Sequence, residues 1–139
     1  MRVALSDGTC DVVLERLIAA YRDRAQLLCR ILQTEPGIHV AQIPRGGFFV
    51  WIWLEGIADA KEFLAYCRQR GVTFLPGSRC DSFVNTTNTN DDDETGEACR
   101  RSARLCFADM DVEDIQEGAE LLVQCYRDFM VDKGGHAAT

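Results

Sequence analysis

Long hydrophobic runs are missing from this sequence. No apolar stretch in the 139 residues approaches the roughly 20 that a membrane helix requires. The opening, MRVALSDGTC, has too short an apolar segment for a secretory signal, so the expected location is cytoplasmic. Histidine and lysine are scarce: His39, His136, Lys61 and Lys133 are all there are. The seven cysteines, at 10, 29, 67, 80, 99, 106 and 125, contain no Cys-x-x-Cys spacing, and with two histidines they offer no plausible zinc ligand set. They read instead as reduced thiols standing where small apolar residues would serve. Positive charge is in deficit, with a net charge of -7. No basic stripe with interleaved aromatics is visible, which excludes a general nucleic-acid role.

What is present is an ordinary core-forming composition, 47% apolar and 27% charged, at a length that fits one domain over 1–139. The organising stretch is 45–54, RGGFFVWIWL. Its apolar residues 48–54 are aromatic and β-branched, and turn residues precede them. They predict a central strand buried on both faces. Gly46 and Gly47 lead into it, marking either a tight turn or a place where a bound group comes close. Trp51 is expected inside.

A long leading region, 11–35, precedes that strand. Over 11–33 the apolar residues Leu14, Leu17, Ile18, Tyr21, Ala25, Leu28 and Leu32 recur at spacings of three and four, which predicts one helix. Arg22, Asp23, Arg24 and Arg30 mark its wetter faces. The helix is long for so small a domain, so part of it is expected to lean on something outside this chain. Residues 38–43 read as an extended approach, and 59–70 as a second helix with Asp59 and Glu62 resembling a capping box. Residues 72–75 read as a short strand closed by Pro76-Gly77, and 102–108, SARLCFA, as another. A last helix is predicted over 111–131, where close packing is the expected reason for Gly118. The tail 132–139 is expected to fray. Between the last two strands lies 84–97, VNTTNTNDDDETGE, which predicts a mobile acidic insert; an acidic docking segment is the alternative. The core is therefore 36–131. The fold class is α+β, a two-layer sandwich in which a small mixed sheet of about three strands is covered by helices.

The residue that stands out chemically is Arg104, a permanent charge in an apolar strand. It is either paired internally, or reaches water from an edge, or is held ready to grip a carboxylate through two parallel hydrogen bonds.

Several segments together carry a resemblance. They are Pro44-Arg45-Gly46-Gly47-Phe48-Phe49-Val50-Trp51, Gly71-Val72-x-Phe74-x-Pro76-Gly77-Ser78, Arg104-Leu105-x-Phe107-Ala108, and Glu117-Gly118 in the last helix. In this order they resemble the C-terminal small domain of the class I and II, fold-type-I aminotransferases, closest to the 2-aminoadipate and multi-substrate branch. Tyr21-Arg22-x-Arg24 is similar to the segment preceding that domain. Cys80 stands near the place where the family usually has an aromatic. The resemblance implies that Arg104 binds the α-carboxylate of an amino-acid or 2-oxo-acid substrate, and that Gly46 and Gly47 lie at the active-site edge. It also implies a pyridoxal phosphate cofactor, a larger cofactor domain and a homodimeric whole enzyme. The Schiff-base lysine of that chemistry matches neither Lys61 nor Lys133, and no phosphate-binding loop is visible, so this chain alone is expected to be inactive. The alternatives are a free-standing amino-acid-binding regulatory module and a structural, partner-binding domain.

Overall fold

A computed structural model describes residues 8–80 and 94–135. In chain order the elements are α1 (Thr9–Leu32), β1 (Ile38–Val40), β2 (Phe49–Leu54), α2 (Ala60–Arg68), β3 (Leu75–Pro76), a 3-10 turn (Gly77–Arg79), α3 (Glu94–Arg100), β4 (Ser102–Cys106) and α4 (Val112–Gly135). The strands form one sheet in the order β1-β2-β4-β3. Every pairing is antiparallel. The class is α+β as expected, but the sheet is antiparallel with four strands, not mixed with about three. The extra strand is β1, where Ile38 and Val40 alternate with His39 and pair with Leu54 and Ile52 of β2. That alternation turns an expected approach segment into an edge strand.

Strand β2 lies inside the sheet, between β1 and β4, but it is not buried on both faces. Val50 and Ile52 are fully buried, whereas Phe49 and Trp53 on the opposite face are each 42% exposed and Trp51 is half-buried. Helices α1, α2 and α4 gather on one side, and that face is the core. There Val50, Ile52, Leu54, Ala103 and Leu105 meet Leu28 and Leu32 of α1, Phe63 and Cys67 of α2, and Leu122 and Cys125 of α4. On the other face Ser102 is buried, its hydroxyl donating to the Ala98 and Cys99 carbonyls at the end of α3. Among the described residues, that face is left open around Phe49, Trp51 and Trp53.

Local chemistry accounts for most boundaries. The Asp59 carboxylate accepts from the Lys61 backbone N–H at 2.8 Å and caps α2. Glu62 does not close a capping box; its carboxylate takes Lys133 Nζ of α4 at 2.8 Å. That pair, with the Tyr66 hydroxyl donating to Asp132 at 3.4 Å, keeps α4 helical through 132–135, a stretch expected to fray. Residues 136–139 lie outside the described residues. After α1, Gly37 leaves room for the Tyr126 ring, whose hydroxyl a Cβ at Gly37 would strike. That hydroxyl donates to the Glu55 carbonyl at 2.7 Å and pins α4 to the end of β2.

Three further expectations change. The third strand is Leu75–Pro76 rather than 72–75, because Val72 and Phe74 turn into the core before pairing begins. The acidic insert 84–97 ends in a helix: α3 already starts at Glu94, and Arg101 pairs with Glu97 one turn back. The rest of that insert lies outside the described residues. Gly118 is not closely packed: a Cβ built there meets nothing among the described residues within 4 Å.

Candidate functional site

Arg104 sits at the middle of β4, opposite Trp51 of β2 on one side and Leu75 of β3 on the other. Directly opposed residues of an antiparallel pair share a face. Arg104 therefore projects with Phe49, Trp51 and Trp53 from the face opposite to α1, α2 and α4. Its neighbours in sequence, Ala103 and Leu105, point into the core. Two strand neighbours and an interior position fix the backbone beneath it.

The guanidinium lies over the Phe49 ring, with Cζ 4.1 Å from the ring centroid. Among the described residues no carboxylate forms an ion pair with it. The side chain is half-buried. The internal ion pair that would make Arg104 a purely structural charge is thus absent among the described residues. A strand-edge position is excluded as well, since β4 is flanked on both sides. What the arrangement offers is a planar set of N–H donors above an apolar floor, suited to a carboxylate.

Gly46 and Gly47 are placed differently. They line a groove of about 500 Å³ with Leu17, Ile18 and Tyr21 of α1 and with Phe48. Gly47 has φ +80°, which explains a glycine there by turn geometry. Nothing among the described residues crowds Gly46. Arg104 does not line this groove. The glycine loop and Arg104 are joined through rings instead: Tyr21 meets Phe48 edge-on at 5.6 Å, and Phe48 meets Phe49 edge-on at 6.3 Å.

Sequence reading places Arg24 on a wet face, but it is half-buried, and its Nη1 donates to the Ala108 carbonyl just beyond β4 at 2.7 Å. Its guanidinium also stands 5.8 Å from the Tyr21 ring centroid. The Tyr21-x-x-Arg24 pair thereby clamps the end of the strand that carries Arg104. Phe49 is a site residue that sequence reasoning missed. Its signal was its parity: it is one of the strand residues out of phase with Val50, Ile52 and Leu54.

Neither lysine is placed for a Schiff base near Arg104. Lys61 is exposed in the first turn of α2, and Lys133 of α4 is engaged with Glu62. Both helices cover the face opposite to Arg104. The described residues of this chain therefore do not fit pyridoxal phosphate as its anchoring site.

Comparison with known proteins bears on the fold and the family. The 2-aminoadipate transaminase of Thermus thermophilus is 31% identical over 110 residues, which is 78% of this chain and 24% of that protein. The solved structure of LysN, the α-aminoadipate aminotransferase from Thermus thermophilus, matches with a TM-score of 0.72 at 25% identity, over 91% of this chain and 29% of its own. That structure is a complex with N-(5'-phosphopyridoxyl)-L-leucine. The multiple substrate aminotransferase from Thermococcus profundus shares the fold at 21% identity, with a TM-score of 0.73, covering 93% of this chain and 29% of that one. No family model matches the chain. The class so defined is the fold-type-I aminotransferases, of which this chain corresponds to a C-terminal segment. One relative within it is the 2-aminoadipate transaminase, and the chain spans about a quarter of that protein's length.

Proposed function

We propose that this chain is the substrate-side region of a pyridoxal-phosphate-dependent aminotransferase, and that Arg104 binds the α-carboxylate of its amino-acid and 2-oxo-acid substrates. The observation that carries this reading is Arg104 itself. It is a permanently charged group at the centre of a sheet face, with no carboxylate partner among the described residues. The cofactor and its lysine belong to the rest of the enzyme, since Lys61 and Lys133 both lie on helices of the covered side. This chain by itself is inactive on that reading.

The open sheet face and the first half of α1 are the surfaces that meet the rest of the enzyme. Leu14, Leu17 and Ile18 are 43–55% exposed, an apolar row that helical periodicity places together and that the described residues leave exposed. Gly46 and Gly47 border the same groove, which supports placing them at the active-site edge.

The test is kinetic, on native-length enzyme. An amino acid and its decarboxylated amine are compared in wild type and in Arg104→Ala. Losing a buried charged partner costs about 2–5 kcal/mol, which corresponds to roughly a 30- to several-thousand-fold fall in kcat/KM for the amino acid. The amine should be nearly indifferent. Arg104→Lys should recover little, because an ammonium has no planar fork. Equal losses for both compounds would mean that Arg104 supports the fold and does not read the carboxylate.

A further inference from the structure

We propose that Phe49 is the positioning residue for Arg104, its ring holding the guanidinium where an incoming carboxylate meets it. The inference rests on the reading that Arg104 binds the substrate carboxylate. A long arginine side chain on an open face has many rotamers, and ordering it costs conformational entropy when no partner holds it. Among the described residues no carboxylate does so. The Phe49 ring does, at 4.1 Å from Cζ. A phenyl face attracts the cation without accepting any of its N–H groups as a carboxylate would. One side of the guanidinium is thus occupied by hydrocarbon while its donors remain available for a ligand. An acidic side chain in the same place would hold the arginine equally well but would compete with substrate.

The ring is itself held. Phe49 is fixed in register against Cys106 of β4, diagonal to Arg104. Phe48 meets it edge-on, and Tyr21 of α1 meets Phe48. The Phe48 carbonyl accepts from the Phe107 backbone N–H at 3.1 Å, which ties this corner to the strand carrying Arg104. The guanidinium is therefore anchored through three rings to the helix whose first half faces away from this chain's core. Phe49 is 42% exposed, so replacing it does not empty the core.

The experiment uses native-length enzyme with Phe49→Leu, Phe49→Tyr, Arg104→Ala and the Phe49→Leu/Arg104→Ala double variant. The readout is the ratio of kcat/KM for an amino acid to that for its decarboxylated amine. Leucine keeps apolar bulk and removes the π face, so the ratio should fall about 3- to 30-fold, the range expected of a partly desolvated cation–π contact. The fall should come mainly through KM for the amino acid. Tyrosine should restore it, and the double variant should be no worse than Arg104→Ala alone. If Phe49→Leu leaves the ratio unchanged while Arg104→Ala collapses it, the positioning role is overturned and the carboxylate reading stands. Full additivity in the double variant overturns it too. If Arg104→Ala does not change the ratio, the carboxylate reading fails and takes this proposal with it. Should Phe49→Leu not fold, Phe49→Met supplies the same comparison.

Discussion

Gly118 illustrates how a single residue can carry one meaning in sequence and another in space. Mid-helix glycine costs about 1 kcal/mol relative to alanine, so a packing reason is expected. No such reason is found among the described residues: a Cβ meets none of their atoms within 4 Å, and Gly118 lines a cavity of about 160 Å³ with Leu28, Leu105 and Leu122. Gly118→Ala should therefore raise stability by about 1 kcal/mol, read as a higher urea midpoint with unchanged slope. A lower midpoint would show that the cavity is filled in the folded protein. Gly47 is the contrary case, because its φ of +80° disfavours any side chain by about 1–2 kcal/mol whatever the space. Trp51 also changes meaning. Expected inside, it is half-buried on the open face, so its truncation costs this chain less than the roughly 3–5 kcal/mol of a buried tryptophan.

At the level of elements, what was legible was what neighbours in sequence decide. The stripe of α1, the Asp59 cap of α2, the turn at Pro76-Gly77 and the alternation in 102–106 each depend on residues a few positions apart. The bounds of α1 and α2 follow within a residue or two. The open face was not legible. Whether Phe49, Trp51 and Trp53 are covered depends on where three helices settle, and a run of apolar residues reads alike in both cases. The contact of Arg104 with Phe49 was illegible for the same reason, being a tertiary pairing across two strands. The buried thiols were legible in kind but not in place. Cys67 of α2 and Cys125 of α4 are fully buried and face each other between the helices. Burial pushes the Cys67 thiol up, with the adjoining Cys125 adding to it, and burial also pushes up Cys125 and Cys29. A thiol whose pKa is raised by folding contributes stability that is complete below its unfolded value and is lost as pH rises through the folded one. Stability should accordingly hold from neutral pH to about pH 8.5, the ordinary thiol value, and decline above it. In the folded protein a thiol reagent should modify the exposed Cys10 and Cys106 quickly, and Cys29, Cys67 and Cys125 only on unfolding. Rapid labelling of Cys67 at neutral pH, or stability that rises further into the alkaline range, would refute the packed α2–α4 contact.

The whole molecule presents a division of labour. The described residues build a single core on one side of a four-stranded sheet and leave Arg104, the proposed carboxylate-binding group, on the other. A transaminase also needs a lysine within reach of the same substrate, and this chain's two lysines stand on the helical layer, away from Arg104. Lys133 is additionally committed to Glu62. If the proposed function is right, the lysine that carries the cofactor lies in the roughly three quarters of the relatives' length that this chain does not span. Borohydride reduction of native-length holoenzyme, followed by peptide mapping, should then place the phosphopyridoxyl group on a peptide outside these 139 residues. Both Lys61→Met and Lys133→Met should leave the stoichiometry of that label unchanged. Stoichiometric label on Lys61 or Lys133 would mean that the helical side of this chain, rather than the open face of its sheet, borders the reaction. Arg104 would then need another explanation, because a cofactor held on the covered side is separated from it by the core.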